Sequence, residues 1–313
     1  MRYVLLLPIF LVFIVACTNF GNRNDQGTNV GGVDMRFLSG YFPDSFKNVN
    51  ANNPPTFRVG LELVNKMDMD ATGKICVRDT PADSFGGIPQ RECHDFFIGG
   101  KEEGLLADKE RFIFPSNGGS YEYNELPSLT EGTQIIASLS YKVDTVVRAS
   151  ICLNKDPSTP VEDLICDPNI VKIISKEVVP VTVTSIEPNI YSTGEDTNSV
   201  NLKIKLKKAA QGEVVHVDDL GMMGAKRSLL WIDVNIEGTP GEFTCIPNEG
   251  DKFIRMDNAV IKGDTRDIEC NGQITLNNEN PNYKDTLTIR LIYGYEIEQS
   301  SNEIPFEWRE DKR

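Results

Sequence analysis

The chain has 313 residues, of which 46 are acidic and 32 are basic, and its formal net charge is −14 at pH 7. An acidic surface is repelled by phosphate backbones, so this charge argues against nucleic acid as a partner. Once an N-terminal segment is set aside, the remaining length is sufficient for two domains of ordinary size.

The chain begins with an apolar run. Residues 4–16 carry no charged side chain, and the run ends directly before Cys17. As a helix this run would extend for about 20 Å, whereas a bilayer core requires about 20 apolar residues. Its length is typical of the apolar region of a signal peptide. Residues 1–16 are therefore predicted to be a signal peptide.

The end of this run resembles the lipobox of prokaryotic lipoprotein signal peptides, with Ile14 three residues before Cys17 and the small Ala16 directly before it. Val15 departs from that pattern, in which a small residue is usual at this place. The resemblance implies cleavage before Cys17, attachment of a lipid to its sulfur, and export. An ordinary secretory signal or a short uncleaved anchor is the alternative.

Residues 17–33 are predicted to be a flexible linker that begins with the lipidated Cys17. The segment is dominated by Asn, Gly, Asp, Thr and Gln. A segment of this composition cannot bury enough apolar surface to compensate for the entropy lost on ordering. A linker between a lipid anchor and a folded body is the arrangement expected of a lipoprotein.

The remainder of the chain shows hydrophobic alternation with a period of two. Leu202, Ile204 and Leu206 alternate with lysines, and similar alternation occurs in residues 57–63, 230–236, 287–295 and 304–308. Alternation of this kind predicts antiparallel strands with one face on a core. Breaks rich in Gly, Pro and Asn separate these strands, which is typical of sandwiches and barrels. The predicted fold class is all-β.

Two similar segments indicate two domains. Residues 132–143 and 284–297 both have a polar start, alternating aliphatic residues and then tyrosine, so each is predicted to be a late strand of its own sandwich. Residues 177–188 have the Pro and Thr/Val pattern of a crossing between domains, which places a boundary near residue 178. The predicted domains are 34–178 and 179–309, with a C-terminal tail at 310–313.

Six cysteines remain after Cys17 is assigned to the lipid. An even number of cysteines in an exported chain argues for disulfides. A zinc site is the alternative, but no C-x-x-C spacing occurs in the chain. Proximity along the chain predicts three local pairs, which are Cys76–Cys93, Cys152–Cys166 and Cys245–Cys270.

Four segments carry a further resemblance: "NPPTFRVGLELVNK", "SICLNKDP…LICDP", "VPVTVTSIEP" and "LTIRLIYGYE". Together with the lipobox start, they resemble uncharacterised exported proteins of small-genome archaea, and the second half resembles the immunoglobulin-like sandwiches of prokaryotic surface proteins. The resemblance implies two tandem immunoglobulin-like antiparallel β-sandwich domains after the signal peptide and linker. The shared motifs concern packing and turns, so no catalytic residue is carried over.

Two features are candidates for binding. The loop "NKMDMDATGK" contains Asn65, Asp68 and Asp70, oxygen-bearing residues of the kind that hold calcium, although it lacks the glutamate of an EF-hand loop. An ordinary turn explains the same composition. Trp231 is predicted to point to the polar side of its strand, where it could contact a partner or a sugar ring. Packing under a neighbouring loop or against the other domain is the alternative.

No catalytic residue is assigned from the sequence. The two histidines, His94 and His216, are interpreted as structural or surface residues, and no G-x-S-x-G, H-E-x-x-H or P-loop motif occurs. We therefore expect no enzyme activity, no cofactor and no metal.

The predicted function is that of a membrane-tethered extracytoplasmic lipoprotein acting as a non-catalytic binding or structural surface module. Its expected partners are the membrane, through the lipid, and envelope or surface proteins or glycans. Alternatives are an envelope-associated ligand-binding or metal-binding receptor and, after that, an extracellular hydrolase.

Overall fold

The structure is a computed structural model. It describes residues 31–47, 55–80, 86–101, 104–123, 132–155, 165–194, 196–208, 211–222, 229–239, 241–246, 253–255, 265–276 and 282–307.

The described residues form strands and one short 3-10 helix at Val217–Asp219. The first ten strands are β1 (Val33–Phe37), β2 (Phe46–Lys47), β3 (Thr56–Phe57), β4 (Val59–Asn65), β5 (Ala71–Asp79), β6 (Glu92–Ile98), β7 (Lys109–Phe114), β8 (Tyr121–Glu122), β9 (Gly132–Thr133) and β10 (Ile135–Asn154). The others are β11 (Lys172–Ser175), β12 (Val181–Ser192), β13 (Thr197–Lys208), β14 (Glu213–Val215), β15 (Leu229–Ile236), β16 (Gly241–Ile246), β17 (Phe253–Arg255), β18 (Thr265–Thr275), β19 (Asn282–Ser300) and β20 (Ile304–Glu307).

A long antiparallel ladder between β10 and β19 lies at the centre of the fold. It extends from the pair Ile136 and Ser300 to the pair Asn154 and Asn282. Along the ladder, β5 and then β6 extend the sheet beyond β10, and β15 and then β17 extend it beyond β19. Strand β11 pairs with β10, and β14 pairs with β19. This single sheet therefore contains strands from both halves of the chain.

The buried face of the ladder joins two further sheets. Tyr141 of β10 accepts a hydrogen bond from the backbone N–H of Val33 in β1, at 3.2 Å. Tyr293 of β19 accepts one from the N–H of Val181 in β12, at 2.9 Å. Strand β1 belongs to the sheet β1-β4-β7, and β12 belongs to the sheet β12-β13-β18-β16. The apolar residues of all three sheets form one core cluster.

The all-β prediction is confirmed, because the described residues form several antiparallel sheets with no α-helix among them. The alternation in residues 202–206 also holds, since Leu202, Ile204 and Leu206 are fully buried and the lysines between them are exposed. The structure differs from the assignment of residues 132–143 and 284–297 to separate sandwiches, because most of the first segment lies in β10, which pairs directly with β19. The predicted boundary near residue 178 lies between β11, which pairs with β10 of the sheet that both halves share, and β12, which belongs to a sheet formed by the second half.

Three disulfides connect the pairs expected from the sequence. Two of them join residues that lie directly opposite each other on paired strands, Cys76 with Cys93 on β5 and β6, and Cys245 with Cys270 on β16 and β18. The third joins Cys152 of β10 to Cys166 in the segment that follows. Each disulfide thus closes a loop within one half of the chain.

The predicted signal peptide at residues 1–16, Cys17 and the linker as far as residue 30 lie outside the described residues, as does the tail at residues 310–313. Within the described ranges, no helix is long and apolar enough to cross a membrane.

Candidate binding site

A cavity lies where the segment after β1 meets the turn between β19 and β20. Strand β2 pairs in parallel with β20, with Phe46 opposite Phe306. This pairing brings residues 37–44 against residues 299–304, although about 260 positions separate the two segments in the sequence. The cavity between them has a volume of about 480 Å³. This volume is within the range of small-ligand sites in proteins.

One side of the cavity is aromatic. Phe37 and Phe42 pack edge to face, with their ring centroids 5.6 Å apart. Both rings line the cavity and are partly buried against the core. Rings of this kind offer apolar faces to the C–H groups of a sugar or to a positively charged group.

The other side of the cavity is polar. Ser301 fixes the turn, because its hydroxyl accepts a hydrogen bond from the backbone N–H of Ile135 at 3.0 Å and donates one to the carbonyl of Asn302 at 2.7 Å. The remaining polar lining consists of Asp44, Gln299, Ser300, Asn302 and Glu303.

The chemistry of the cavity favours neutral or cationic ligands. Its ten lining residues include two carboxylates and two amides but no lysine, arginine or histidine. An anionic ligand would therefore meet repulsion without a compensating cation. Polyhydroxylated groups and ammonium groups both suit aromatic faces combined with amide and carboxylate oxygens.

Sequence reasoning missed this cavity. Its residues come from two distant segments, and neither contains a recognised motif. The only relevant signal is the presence of Phe37 and Phe42 in "RFLSGYFPDS", which also fits an ordinary apolar loop.

Trp231 lies elsewhere and does not line the cavity. It is on β15, between the buried Leu230 and Ile232, so it points to the opposite face of the sheet. On that face its direct neighbour across the ladder is Ile292 of β19. The indole is partly buried. The structure therefore places Trp231 on the side of the sheet away from the core, as the alternation predicts.

Two residues of the candidate calcium loop, Asn65 and Asp70, form side-chain hydrogen bonds, and the third, Asp68, is exposed. Asn65 is fully buried, and its side-chain nitrogen donates to the carbonyls of Met69 at 2.8 Å and Gly99 at 3.0 Å. Its side-chain oxygen accepts from the N–H of Met67. Asp70 accepts from the N–H of Gly100 at 2.8 Å. The side-chain nitrogen of Asn65 thus lies at the point where the carbonyl oxygens of Met69 and Gly99 converge.

His94 lies in a small polar cluster at the edge of the central sheet. Its Nε2 is 3.6 Å from Glu92 Oε1, and its ring packs against Phe114. Glu92 also accepts hydrogen bonds from the hydroxyl of Tyr121 at 2.6 Å and the N–H of Ser116 at 3.1 Å. Partial burial favours the neutral form of Glu92, but these hydrogen bonds outweigh it and lower its pKa. The cluster ties β6 to the segment between β7 and β8.

His216 has a local role. Its side chain accepts a hydrogen bond from the N–H of Asp218 at 3.2 Å and so caps the short 3-10 helix. His216 and Asp218 are therefore in contact with each other. Within the described ranges, no group of three or more His, Cys, Asp and Glu side chains is arranged to hold a metal.

Glu62 is the most deeply buried carboxylate of the β1-β4-β7 sheet. It lies on β4 between Arg36 of β1 and Arg111 of β7, and Arg111 Nε is 3.1 Å from its Oε2. Burial alone would raise the pKa of Glu62, but hydrogen bonds and charge from both arginines hold it below the ordinary value. This arrangement joins the three strands on their outer face.

Comparison with models of known protein families finds no match, and comparison with curated protein sequences finds no significant match.

Proposed function

We propose that the protein is a membrane-tethered extracytoplasmic lipoprotein that acts as a non-catalytic binding or structural module through its immunoglobulin-like β-sandwich body. The observation that carries this proposal is the set of three disulfides within an all-β body. Structural disulfides form and persist in oxidising compartments, and they are rare in cytosolic proteins. The lipobox-like sequence before Cys17 supplies the tether.

Binding is assigned to the cavity between residues 37–44 and 299–304. Its partly exposed aromatic pair and its side-chain oxygens suit a glycan or a group on another envelope protein. The surrounding loops join strands of a disulfide-linked scaffold, which is the usual place for binding residues on a sandwich.

The tether is tested with Cys17→Ser. We expect the parent protein to remain with the membrane after an alkaline carbonate wash, and the variant to be recovered in the wash or in the medium. Thr18→Ala serves as the matched control and behaves as the parent. Retention of Cys17→Ser after the wash would show that the lipid is not the anchor.

Partner binding is tested with Asn302→Ala/Glu303→Ala in a crosslinking experiment on the native envelope. The variant should lose a specific partner that the parent captures. The control is Glu187→Ala/Asn189→Ala, which alters exposed residues of β12 on a different sheet. Equal capture by the parent and by the cavity variant would exclude this cavity as the binding site.

The size of the cavity favours a second candidate, a receptor for a small ligand. Thermal unfolding is measured with neutral sugars, alkylamines and divalent cations, one at a time. A receptor gives a saturable rise in Tm that the Asn302→Ala/Glu303→Ala variant lacks. No rise with any of these compounds would favour the macromolecular partner.

A further inference from the structure

The segment that includes β11 exposes an alternating apolar and basic strip. Ile170, Lys172, Ile174, Lys176 and Val178 are all exposed, with fractions of 61% for Ile170, 63% for Ile174 and 46% for Val178. We refer to these five residues as the 170–178 strip. Among the described strands, β11 pairs only with β10, so the segment runs along an edge of the central sheet.

The strip is distinct from the side of the segment that packs on the protein. The intervening Val171 and Ile173 are partly buried and contact the apolar core. Val171 and Ile173 therefore hold the segment in place. The pairing of β11 with β10 has an irregularity at Ile174, beyond which Ser175 and Lys176 are also exposed, and the three exposed aliphatic side chains are not used in packing. The strip carries two lysines, whereas Glu177, the acid next to Lys176, is partly buried. The chain as a whole has a net charge of −14.

This combination suits the surface of a lipid bilayer. Aliphatic side chains gain free energy when they enter the boundary between headgroups and acyl chains. Lysines next to them are attracted to anionic headgroups, and their long side chains let the charge remain at the surface.

The position at which the N-terminal segment joins the body also supports contact between the strip and a lipid bilayer. Gly31, the first described residue, lies against Val179: a Cβ atom built on it would be 2.8 Å from the Val179 carbonyl oxygen. Gly32 packs in the same way against Pro180. The chain from Cys17 therefore reaches the body immediately beside Val178, the last residue of the strip.

The length of the connection keeps this part of the body close to the anchor. Gly31 is fourteen positions after Cys17. A chain of that length cannot span more than about 50 Å. At such separations the membrane is present at a high effective concentration, so even weak contacts are populated.

We propose that the 170–178 strip rests on the lipid bilayer that holds Cys17, and that it orients the body against an anionic membrane surface. This inference rests on the proposed lipid tether. The strip provides a second, non-covalent contact beside the point where the tether enters the fold.

The test uses the mature chain with Cys17→Ser, which carries no lipid, and vesicles of phosphatidylcholine mixed with phosphatidylglycerol. We expect co-sedimentation with these vesicles that weakens when phosphatidylglycerol is omitted. Ile170→Ser and Ile174→Ser should each lower the partition coefficient about tenfold, since each removes the transfer of one large aliphatic side chain. Lys172→Gln/Lys176→Gln should lower it at low salt and remove its salt dependence.

The matched control is Leu105→Ser/Leu106→Ser, because these leucines are also exposed, at 57% and 93%, but belong to a different loop. This control should bind vesicles as the parent does, and circular dichroism should be the same for all variants. An equal loss in the control, or no co-sedimentation of the parent, would overturn the proposal. The tether is judged separately by the carbonate wash, in which lipidated protein remains bound even if the strip contributes nothing.

Discussion

The hydroxyl of Tyr293 connects the central sheet to the sheet that contains β12, and its removal tests this connection. Tyr293 is fully buried, and its oxygen is 2.9 Å from the backbone nitrogen of Val181. Tyr293→Phe keeps the ring and therefore leaves no cavity at the ring position. It deprives a buried N–H of its acceptor, which costs about 1–3 kcal/mol. We expect the free energy of unfolding to fall by that amount.

The measurement is urea-induced unfolding with the disulfides intact, followed by circular dichroism and by tryptophan fluorescence. Tyr191→Phe is the matched control, because Tyr191 is 51% exposed and its loss should change the free energy by less than about 0.5 kcal/mol. If Tyr293→Phe is as stable as this control, the hydroxyl does not join the two sheets and the description of the core is incorrect.

Three further predictions concern the disulfides, the Asn65 loop and Glu62. Replacing Cys152 and Cys166 with serine should lower the free energy of unfolding by about 3 kcal/mol in chemical denaturation, because a short loop of the unfolded chain is released. Asn65→Asp removes the donor that binds two carbonyls and should lower the free energy of unfolding by at least about 2 kcal/mol; full rescue by calcium would contradict the hydrogen-bonding role. The pKa of Glu62 is lowered in the folded state. The ionised carboxylate therefore stabilises the fold above its ordinary pKa, and this stabilisation is lost as the pH falls through the pKa of the folded state. Glu62→Gln should therefore be less stable at pH 7, by about 1–3 kcal/mol, and should lose less stability than the parent below about pH 4.5; parallel pH curves would count against this assignment.

Hydrophobic alternation predicted which face of each strand is buried but not which strands are neighbours. In β13, Leu202, Ile204 and Leu206 form the core face as expected. Residues 132–143 and 284–297 were likewise assigned correctly as strands. These two strands pair with each other across more than a hundred intervening residues. Hydrophobic alternation is a local pattern and does not indicate which distant strand will be the neighbour.

Local spacing was a better guide for the cysteines than for polar residues. The three disulfides connect residues 14 to 25 positions apart, so proximity in the sequence was sufficient to pair them. Asn65 could not be interpreted in the same way. Its role depends on the carbonyl of Gly99, which reaches it because β5 and β6 are paired. The cavity at residues 37–44 and 299–304 depends similarly on the pairing of β2 with β20.

The central claim is that the protein is exported, oxidised and held by a lipid on Cys17. Mass spectrometry of the protein from native membranes tests it most directly, with peptide mapping carried out without reduction. We predict an N-terminal peptide that begins at Cys17 and carries lipid, together with Cys76–Cys93, Cys152–Cys166 and Cys245–Cys270 in disulfide-linked peptides. An intact residue 1–16 segment on a cytosolic chain with all seven cysteines reduced would contradict the claim.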